Sequence, residues 1–506
     1  MIQRFDGGVF FGREPKYGLE FSNERVLSMM DRTNTRMGLS TNLEAIFFDM
    51  YEGNRKTLEL SRLYPNRCLP MAVINPQHYD IGSDYIETLA GQGFRGVSFF
   101  LHYQFWKSTH YTFRALVKRI SKAGLPIQIA IASLDDLSET ADAVAELKTP
   151  VLIRWVRGGG YLNTADVITI ASLMPHIYFD VSNLVQLGGV AYLAEKIGTE
   201  RLYLASNMPV VYESCGHFLV DTAELSVKDK EQISYGTLAG IFSVAENTST
   251  ESAEDKNVYG FDHIERPKID THWHAEGWDI IEPKTDAASL KKVLDDFHYE
   301  AVISSSILAL NYDMSQGNAN TNELTRQDPR IFGYLVYDPT RVEESLEELE
   351  KYKNNPSFVG IKTIQDYYPA GLDDERYLPM LRWAEEHDWP ILAHKTGAAG
   401  AARAFPKVQF VIAHITADRM PEFKGIENLV VDISASYAHR GESDVAKVIK
   451  ELGADRVLYA ADGPLMTPAW SIGKIVSSNL DEDILEKIYK TNALRVYKRL
   501  HKALEV

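Results

Sequence analysis

Two histidines stand one residue apart at the end of a short apolar segment, in the order Lys268-Ile-Asp-Thr-His272-Trp-His274. Side chains alternate along a strand, so His272 and His274 point to the same face. Two imidazoles on one face at the end of a strand can chelate one metal ion. Taken alone, such a pair is also common on surfaces and in packed cores, so the pair by itself predicts little.

Further polar residues of metal-ligand type end later apolar segments of the same half. Phe358–Lys362 ends in Lys362, Pro390–His394 in His394, Val408–His414 in His414 and Val457–Asp462 in Asp462. When strands alternate with helices, their carboxyl ends meet at one mouth of a barrel, which is where this architecture carries its chemistry. The ordered series therefore predicts a metal site there. A single strand histidine is more often a packed core residue, and Asp462 could instead cap the following turn.

The elements that would position these residues are strands alternating with amphipathic helices. Apolar runs such as AIFFDM (45–50), LPMAVINP (69–76), PIQIAIA (126–132) and VLIRWV (151–156) predict strands, and TFRALVKRISKAG (112–124) predicts a helix. A polar, aperiodic stretch then separates two halves of the length of one eight-stranded barrel each. We predict an α/β protein with a tandem of two (β/α)8 TIM-like barrels, at residues 1–245 and 268–506, joined by a linker at 246–267.

The two halves align with each other at nearly constant offsets. The segments Phe94–Ser98 and Phe358–Lys362 match, as do Pro126–Ala130 and Pro390–His394, and Asp6 with Asp270, all displaced by 264 positions. Later, Gly198–Asn207 matches Gly453–Asp462, displaced by 255. This repetition predicts a tandem duplication.

The first half lacks the polar series. Six residues of the first half align with that series: Gly8 with His272, Phe10 with His274, Ser98 with Lys362, Ala130 with His394, Trp155 with His414 and Asn207 with Asp462. We therefore predict a degenerate copy, a pseudoenzyme domain retained as a built-in partner or as a source of loops for the other half. The alternative is a second site that uses other residues, such as His102, His110 and Arg154.

Composition excludes several classes of function. A formal net charge of −17 disfavours a nucleic-acid binder, which needs clustered basic residues. Cys68 and Cys215 are the only cysteines, so we expect neither a disulfide framework nor a cysteine metal cluster. The N-terminal residues lack a signal-peptide pattern, and no apolar run approaches about 20 residues. The expected location is the cytoplasm, without nucleic-acid or membrane partners.

The segment from Lys268 to Arg499 resembles the amidohydrolase superfamily, in the amidohydrolase-related branch of metal-dependent TIM-barrel hydrolases and decarboxylases. The resemblance rests on the histidine pair, the strand-end series and the closing helix Ile488-Tyr-Lys-Thr-Asn492-Ala. It implies that His272, His274, His394 and Asp462 bind the metal, with His414 beside it. One residue pattern departs from the family, because Tyr459-Ala-Ala precedes Asp462 where relatives commonly have Gly-Ser.

The resemblance implies one divalent ion, Zn²⁺ first and Mn²⁺ or Fe²⁺ as alternatives. Lys362, which is carbamylated between two metals in some relatives, is expected here to contact substrate instead. Trp273, between the paired histidines, is expected to pack behind the sheet.

The expected activity is hydrolysis of an amide, lactam or lactone bond of a small, carboxylated substrate by a metal-activated water. Asp462 would act as general base and acid, and His414 would polarise the carbonyl or stabilise the oxyanion. Arg440 and Lys362 would bind the substrate carboxylate, although Arg440 could equally be a solvated loop charge. A non-oxidative decarboxylase of a small cyclic or unsaturated acid and a non-catalytic binding module remain open. The two barrels are expected to pack on each other, and a homo-oligomer is left open.

Overall fold

A computed structural model describes residues 2–77, 84–156, 164–244, 260–368, 370–416, 420–434 and 445–505. These residues fall into two compact units that divide between 244 and 260. Each unit is built on its own sheet. Residues 260–267 belong to the second unit and carry a short helix, and the linker bounds of 246–267 stay a prediction.

The sheet of the first unit has nine strands in the order β2-β1-β3-β4-β5-β6-β7-β8-β9. All neighbours are parallel except β2, which pairs with β1 in an antiparallel hairpin that the sequence did not reveal. The strands are β1 (Arg4–Glu14), β2 (Leu19–Phe21), β3 (Thr35–Asn42), β4 (Cys68–Val73), β5 (Gly96–Phe100), β6 (Ile127–Ile131), β7 (Val151–Trp155), β8 (Ile177–Asp180) and β9 (Leu202–Tyr203).

The sheet of the second unit has eight parallel strands in chain order. They are β10 (Lys268–His274), β11 (Tyr299–Ser305), β12 (Ile331–Val336), β13 (Phe358–Thr363), β14 (Ile391–Ala393), β15 (Phe410–Ile412), β16 (Leu429–Asp432) and β17 (Val457–Leu458). The residues after β17 return to β10, because Asp462 N donates to His272 O over 2.9 Å and Gly463 bridges Trp273.

The fold is thus α/β with parallel sheets in a barrel-like arrangement. That each half is a complete eight-stranded barrel stays a prediction.

Helices follow most strands and cover the outer faces of the sheets. The α-helices are α1 (Asn23–Arg32), α2 (Glu44–Phe47), α3 (Met50–Leu63), α4 (Tyr85–Gln92), α5 (Leu101–Gln104), α6 (Tyr111–Lys122), α7 (Leu134–Val144), α8 (Thr164–Leu173), α9 (Gly189–Ile197), α10 (Glu213–Asp221), α11 (Val227–Glu231), α12 (Thr237–Phe242), α13 (Asp262–Glu265), α14 (Ala287–Asp296), α15 (Ile307–Asn311), α16 (Met314–Leu324), α17 (Val342–Tyr352), α18 (Leu378–His387), α19 (Ala398–Ala404), α20 (Met420–Phe423), α21 (Val445–Leu452), α22 (Pro468–Ser478), α23 (Glu482–Glu486), α24 (Asn492–Val496) and α25 (Lys498–Leu504). Among these residues no helix is long and apolar enough to cross a membrane.

The prediction of a strand at AIFFDM was wrong. Residues 44–47 form α2, and α3 begins at Met50. Asn42 Oδ1 accepts the Glu44 amide, and Asp49 caps α3 by accepting from Tyr51 N and Glu52 N. The capping side chain of Asp49 at the start of α3 and the side-chain hydrogen bond of Asn42 just before α2 outweighed the apolar composition of the run.

The strands are buried on both faces, which explains their continuous apolar runs. Every residue of β13 is buried, including Lys362. The core of the second unit contains residues from all eight strands together with α24 and α25. Cys68 and Cys215 are both buried free cysteines.

Equivalent positions of the two units make the same contacts. Asp6 Oδ1 accepts from Gly8 N over 2.8 Å, and Asp270 Oδ1 accepts from His272 N over 3.0 Å. Both aspartates are fully buried at the middle of the first strand of their unit. The displacement between the pairs is the 264 residues expected from the sequence.

A second correspondence involves a buried asparagine on a helix. Asn54 brackets the backbone of Val73, with 2.9 Å to its carbonyl oxygen and 2.8 Å from its amide nitrogen. Asn318 does the same to Val336, at 3.3 and 2.9 Å. Such pairs are consistent with a duplication, which remains a prediction.

Candidate metal centre

The polar series lies at the carboxyl ends of the strands of the second unit. The residues are His272 and His274 of β10, Lys362 of β13, His394 after β14, His414 after β15, Asp432 of β16 and Asp462 after β17. Because the strands are parallel, their carboxyl ends meet at one mouth. The apolar runs that end at these residues therefore place their terminal side chains together.

Three of these residues form a compact, buried cluster. Asp462 Oδ1 lies 3.4 Å from His272 Nε2 and 3.3 Å from His274 Nε2. The potential ligand atoms of the three residues all lie within 4.8 Å of one another, as do those of a second set, His272, His414 and Asp432. Two imidazoles and a carboxylate around one point are a donor set that suits a divalent metal ion.

The Nδ1 atoms of the paired histidines are both bonded to protein groups. His272 Nδ1 lies 3.0 Å from Asp432 Oδ2, and His274 Nδ1 lies 3.1 Å from Ser305 Oγ. A carboxylate only accepts hydrogen bonds, so His272 carries its proton on Nδ1 and has a lone pair on Nε2. This is the tautomer in which a histidine can bind a metal through Nε2.

His394 and His414 are also bonded to protein groups through Nδ1. His394 Nδ1 lies 2.7 Å from Asp366 Oδ2, and His414 Nδ1 lies 2.9 Å from the carbonyl oxygen of Ser434. In all four rings Nδ1 is bonded to the surrounding protein, which leaves Nε2 for a ligand. Protein acceptors that orient metal-binding imidazoles in this way are typical of metal sites.

Two site residues have left-handed backbone conformations. The φ angles of His414 and Asp462 are 55° and 64°. For residues other than glycine such angles cost on the order of 1 kcal/mol or more and concentrate at functional sites. The backbone at His414 and Asp462 is therefore held in a strained conformation that places these two side chains at the site.

Part of the chain is similar to a known protein family. Residues 269–499, which are less than half of the chain, match the family model described as Amidohydrolase. We call this segment the amidohydrolase domain. The match does not extend into the first half, so the degenerate copy stays a prediction. No curated protein matches the sequence.

Three solved structures are similar to part of this chain. A putative amidohydrolase from Staphylococcus aureus is 17% identical, with 46% of this chain and 100% of that chain covered and a TM-score of 0.39. A 5-carboxyvanillate decarboxylase from Novosphingobium aromaticivorans, complexed with manganese and 4-hydroxy-3-methoxy-5-nitrobenzoic acid, is 15% identical, at 46% and 96% coverage with a TM-score of 0.37. A 4-oxalomesaconate hydratase from Rhodopseudomonas palustris is 18% identical, at 47% and 98% coverage with a TM-score of 0.37.

Burial keeps the paired histidines His272 and His274 neutral. It lowers the pKa of His274 to about 3 and holds the pKa of His272 well below its usual value, with a further lowering of both by the nearby Lys362 ammonium. Burial also raises the pKa of the Asp462 carboxyl to about 6. Neutral imidazoles are the form that binds a metal, so the electrostatics agree with the hydrogen bonds.

Asp432 remains ionised although it is buried. Burial alone would raise its pKa, but hydrogen bonds from His272 and Ser434 lower the pKa below the usual range. Asp432 Oδ1 also accepts the backbone amide of His414 over 3.0 Å. One carboxylate thus orients one histidine ring and fixes the backbone of a second.

The side chain of Lys362 is hydrogen-bonded to His272 Nε2, the nitrogen through which His272 would bind a metal. Its Nζ lies 2.8 Å from His272 Nε2, and burial lowers the pKa of the ammonium to about 8. A metal bound at His272 therefore requires Lys362 to turn away or to lose its proton. The sequence placed Lys362 in the substrate site, and the structure places it directly beside the candidate ligands.

His394 lies at the edge of this cluster. Its ring centroid is 5.0 Å from that of His414, but it is not part of either compact ligand set among the described residues. Its role as a metal ligand stays a prediction. The predicted substrate contact Arg440 lies outside the described residues. Trp273 is buried and packs against Gly463, where an added Cβ would come within 2.1 Å of the ring.

Sequence reasoning missed the residues that orient the histidines. Asp432 ends the apolar run Leu429–Asp432 in the same way that Asp462 ends its own run, so the same rule would have found it. Ser305 likewise ends β11. Asp366 lies in a short 3-10 helix, Gln365–Tyr367, after β13, where no pattern in the sequence distinguishes it.

Proposed function

We propose that the amidohydrolase domain is a metal-dependent hydrolase that cleaves an amide, lactam or lactone bond of a small, carboxylated substrate. The observation that carries the proposal is the commitment of all four histidine Nδ1 atoms to protein groups, with two of the Nε2 atoms within 3.4 Å of Asp462. A purely structural histidine cluster has no need to anchor every ring through the same nitrogen.

His272, His274 and Asp462 would hold the ion, with His394 as the predicted fourth ligand. The donor set of imidazoles and a carboxylate fits Zn²⁺ first, and Mn²⁺ or Fe²⁺ as alternatives. A divalent ion bound there would supply Lewis acidity and lower the pKa of water toward neutrality.

Asp462 is suited to move a proton. Because burial raises the pKa of its carboxyl to about 6, the group can accept a proton near neutral pH and return it to a leaving group. Its Oδ2 lies 3.9 Å from His414 Nε2, so a proton could pass between the two residues after a small movement.

His414 fits a role as proton acceptor better than the predicted role as oxyanion donor. Its Nδ1 donates to the Ser434 carbonyl, which cannot donate in return. The neutral ring therefore has a lone pair on Nε2 and no proton there to offer to an oxyanion. Donation from Nε2 would first require the ring to accept a proton, for example from the attacking water.

Lys362 places a positive charge directly beside the proposed metal ligands. A substrate carboxylate would form a charge-assisted hydrogen bond with its ammonium and so release His272 Nε2 from the 2.8 Å contact. Substrate and metal binding would then favour each other. Arg440 is a second proposed carboxylate contact.

The proposal is tested with the full chain, loaded with Zn²⁺ or Mn²⁺, on a panel of small carboxylated lactones, lactams and amides. Proton release and product masses report hydrolysis, and released CO₂ reports decarboxylation. We expect hydrolysis, with kcat about 10²–10⁴-fold lower in Asp462→Asn because the proton acceptor is lost. Asp455→Asn, an exposed aspartate at 69% side-chain exposure, is the matched control and should leave kcat unchanged.

Two outcomes would overturn the hydrolase proposal. Release of CO₂ without hydrolysis, lost in Asp462→Asn, would favour the decarboxylase. Binding of carboxylated ligands without turnover, in protein that holds no metal, would favour a binding module.

A further inference from the structure

The mouth of the first unit contains a buried arginine. Arg154 is the fourth residue of β7 and is 1% exposed. Its Nη1 donates to Gln128 Oε1 over 3.1 Å, and its guanidinium carbon lies 4.8 Å from the ring centre of Phe10 and 5.1 Å from that of Phe100. A cation enclosed by aromatic faces and held by an amide oxygen is rigidly placed.

The guanidinium stands among the positions that match the metal ligands of the second unit. Gly8, Phe10 and Asn207 correspond to His272, His274 and Asp462 by the offsets of 264 and 255. The backbone of Asn207 is left-handed, at φ 58°, as is that of Asp462 at 64°.

Arg154 also occupies the space that a ligand histidine would need. A Cβ atom built on Gly8 would lie 3.1 Å from Arg154 Nη1 and 3.2 Å from Asn207 Oδ1. A glycine tolerates this approach, whereas an imidazole at position 8 would have to displace the guanidinium. A histidine at position 8 therefore requires Arg154 to move.

A buried acidic residue of the second unit, Asp432, has a counterpart in the first unit. Asp180, the last residue of β8, accepts the backbone amide of Ser182 over 2.8 Å, as Asp432 accepts that of Ser434 over 3.0 Å. Among the described residues Asp180 Oδ2 has no hydrogen-bond partner, whereas Asp432 Oδ2 binds His272. Burial raises the pKa of the Asp180 carboxyl to about 7, and the positive charge of Arg154 opposes this rise. The first unit therefore retains a buried carboxyl group at the position of Asp432, but no histidine beside it.

We infer that the Arg154 guanidinium takes the place of the metal ion in the first unit. It supplies a fixed positive charge at the strand ends, interacts electrostatically with the buried carboxyl groups of Asp180 and Asp6, and closes the mouth to metal. This inference rests on the two units being copies and does not depend on the reaction of the second. It also argues against a second catalytic site at His102, His110 and Arg154, because both histidines are exposed while the arginine is enclosed.

The first test rebuilds the ligand set in the full chain. Gly8→His, Phe10→His and Asn207→Asp are introduced together, once with Arg154 present and once with Arg154→Ala, and Zn²⁺ per chain is measured after dialysis. We expect no additional ion with Arg154 and one additional ion per chain without it. An additional ion in the presence of Arg154 would overturn the inference.

The second test does not depend on the folding of the rebuilt variants. Arg154→Met keeps the length of the side chain but removes its charge, and with it the electrostatic interaction with the buried carboxyl groups. Hydrogen exchange of first-unit peptides should rise, and the thermal midpoint should fall by about 6–12 °C. Arg13→Met, at an exposed arginine of β1, is the control. An Arg154→Met midpoint equal to that of the control would show that the charge has no role and would overturn the inference.

Discussion

Asp432 Oδ2 lies 3.0 Å from His272 Nδ1, whereas Oδ2 of its counterpart Asp180 has no hydrogen-bond partner among the residues of the first unit that the structure describes. Each aspartate ends its strand and accepts the backbone amide of the serine two residues later, Ser182 or Ser434. The histidine link is what distinguishes the half that matches the amidohydrolase family from the half that does not. Asp432 is therefore a positioning residue of the proposed metal site.

Asp432→Asn should weaken metal binding by about 10–100-fold, because the neutral amide orients His272 less firmly and lowers its basicity. Competition with a chelator of known affinity measures the change. Asp180→Asn is the matched control, since it alters the same kind of buried carboxylate at a position without a histidine. Equal affinities in the two variants would contradict the positioning role.

Lys362→Met should tighten metal binding by about tenfold or more, because it removes a cation 2.8 Å from His272 Nε2. The stoichiometry should remain one ion per chain. If Lys362 were instead carbamylated between two metals, the substitution would lower the stoichiometry from two to one, and the single-metal account would be wrong.

His394→Ala should weaken metal binding by about 100-fold if His394 becomes the fourth ligand when the ion binds. His387→Ala, at a histidine whose ring stacks on Trp383 with centroids 4.0 Å apart, is the control for loss of a histidine elsewhere in the domain. Unchanged affinity in His394→Ala would restrict the ligands to His272, His274 and Asp462.

His217 of the first unit should make the protein sensitive to acid. Burial lowers its pKa, so below pH about 6.5 the unfolded chain binds a proton that the folded chain does not. The free energy of unfolding then falls as the pH falls, by up to about 1.4 kcal/mol per pH unit. Urea unfolding between pH 7 and 5 should show a shallower decline in His217→Gln, and identical slopes would contradict the assignment.

The sequence was sufficient for the features that depend on local pattern. Strand-end polar residues such as His394 and Asp462 follow continuous apolar runs, and parallel topology converts that order along the chain into proximity. The strand prediction for residues 45–50 was wrong because Asn42 and Asp49 favour helices there. Their side chains act through hydrogen bonds to the backbone, which the apolar composition of the run does not reveal.

Other features depend on distance in space rather than in sequence. Asp366 and His394 are 28 residues apart and meet only because two strands are neighbours. The enclosure of Arg154 by Phe10 and Phe100 likewise appears only after the strands are assembled. No spacing rule within one segment could have indicated either contact.

The metal content of the full chain tests the central proposal most directly. The protein is purified without a metal-chelating tag, incubated with Zn²⁺ or Mn²⁺, dialysed and measured by plasma mass spectrometry beside a His272→Ala, His274→Ala double variant. We predict about one ion per chain, lost in the variant. No ion in the native protein, or an ion that the double variant retains, would contradict a metal centre at the carboxyl ends of the second sheet.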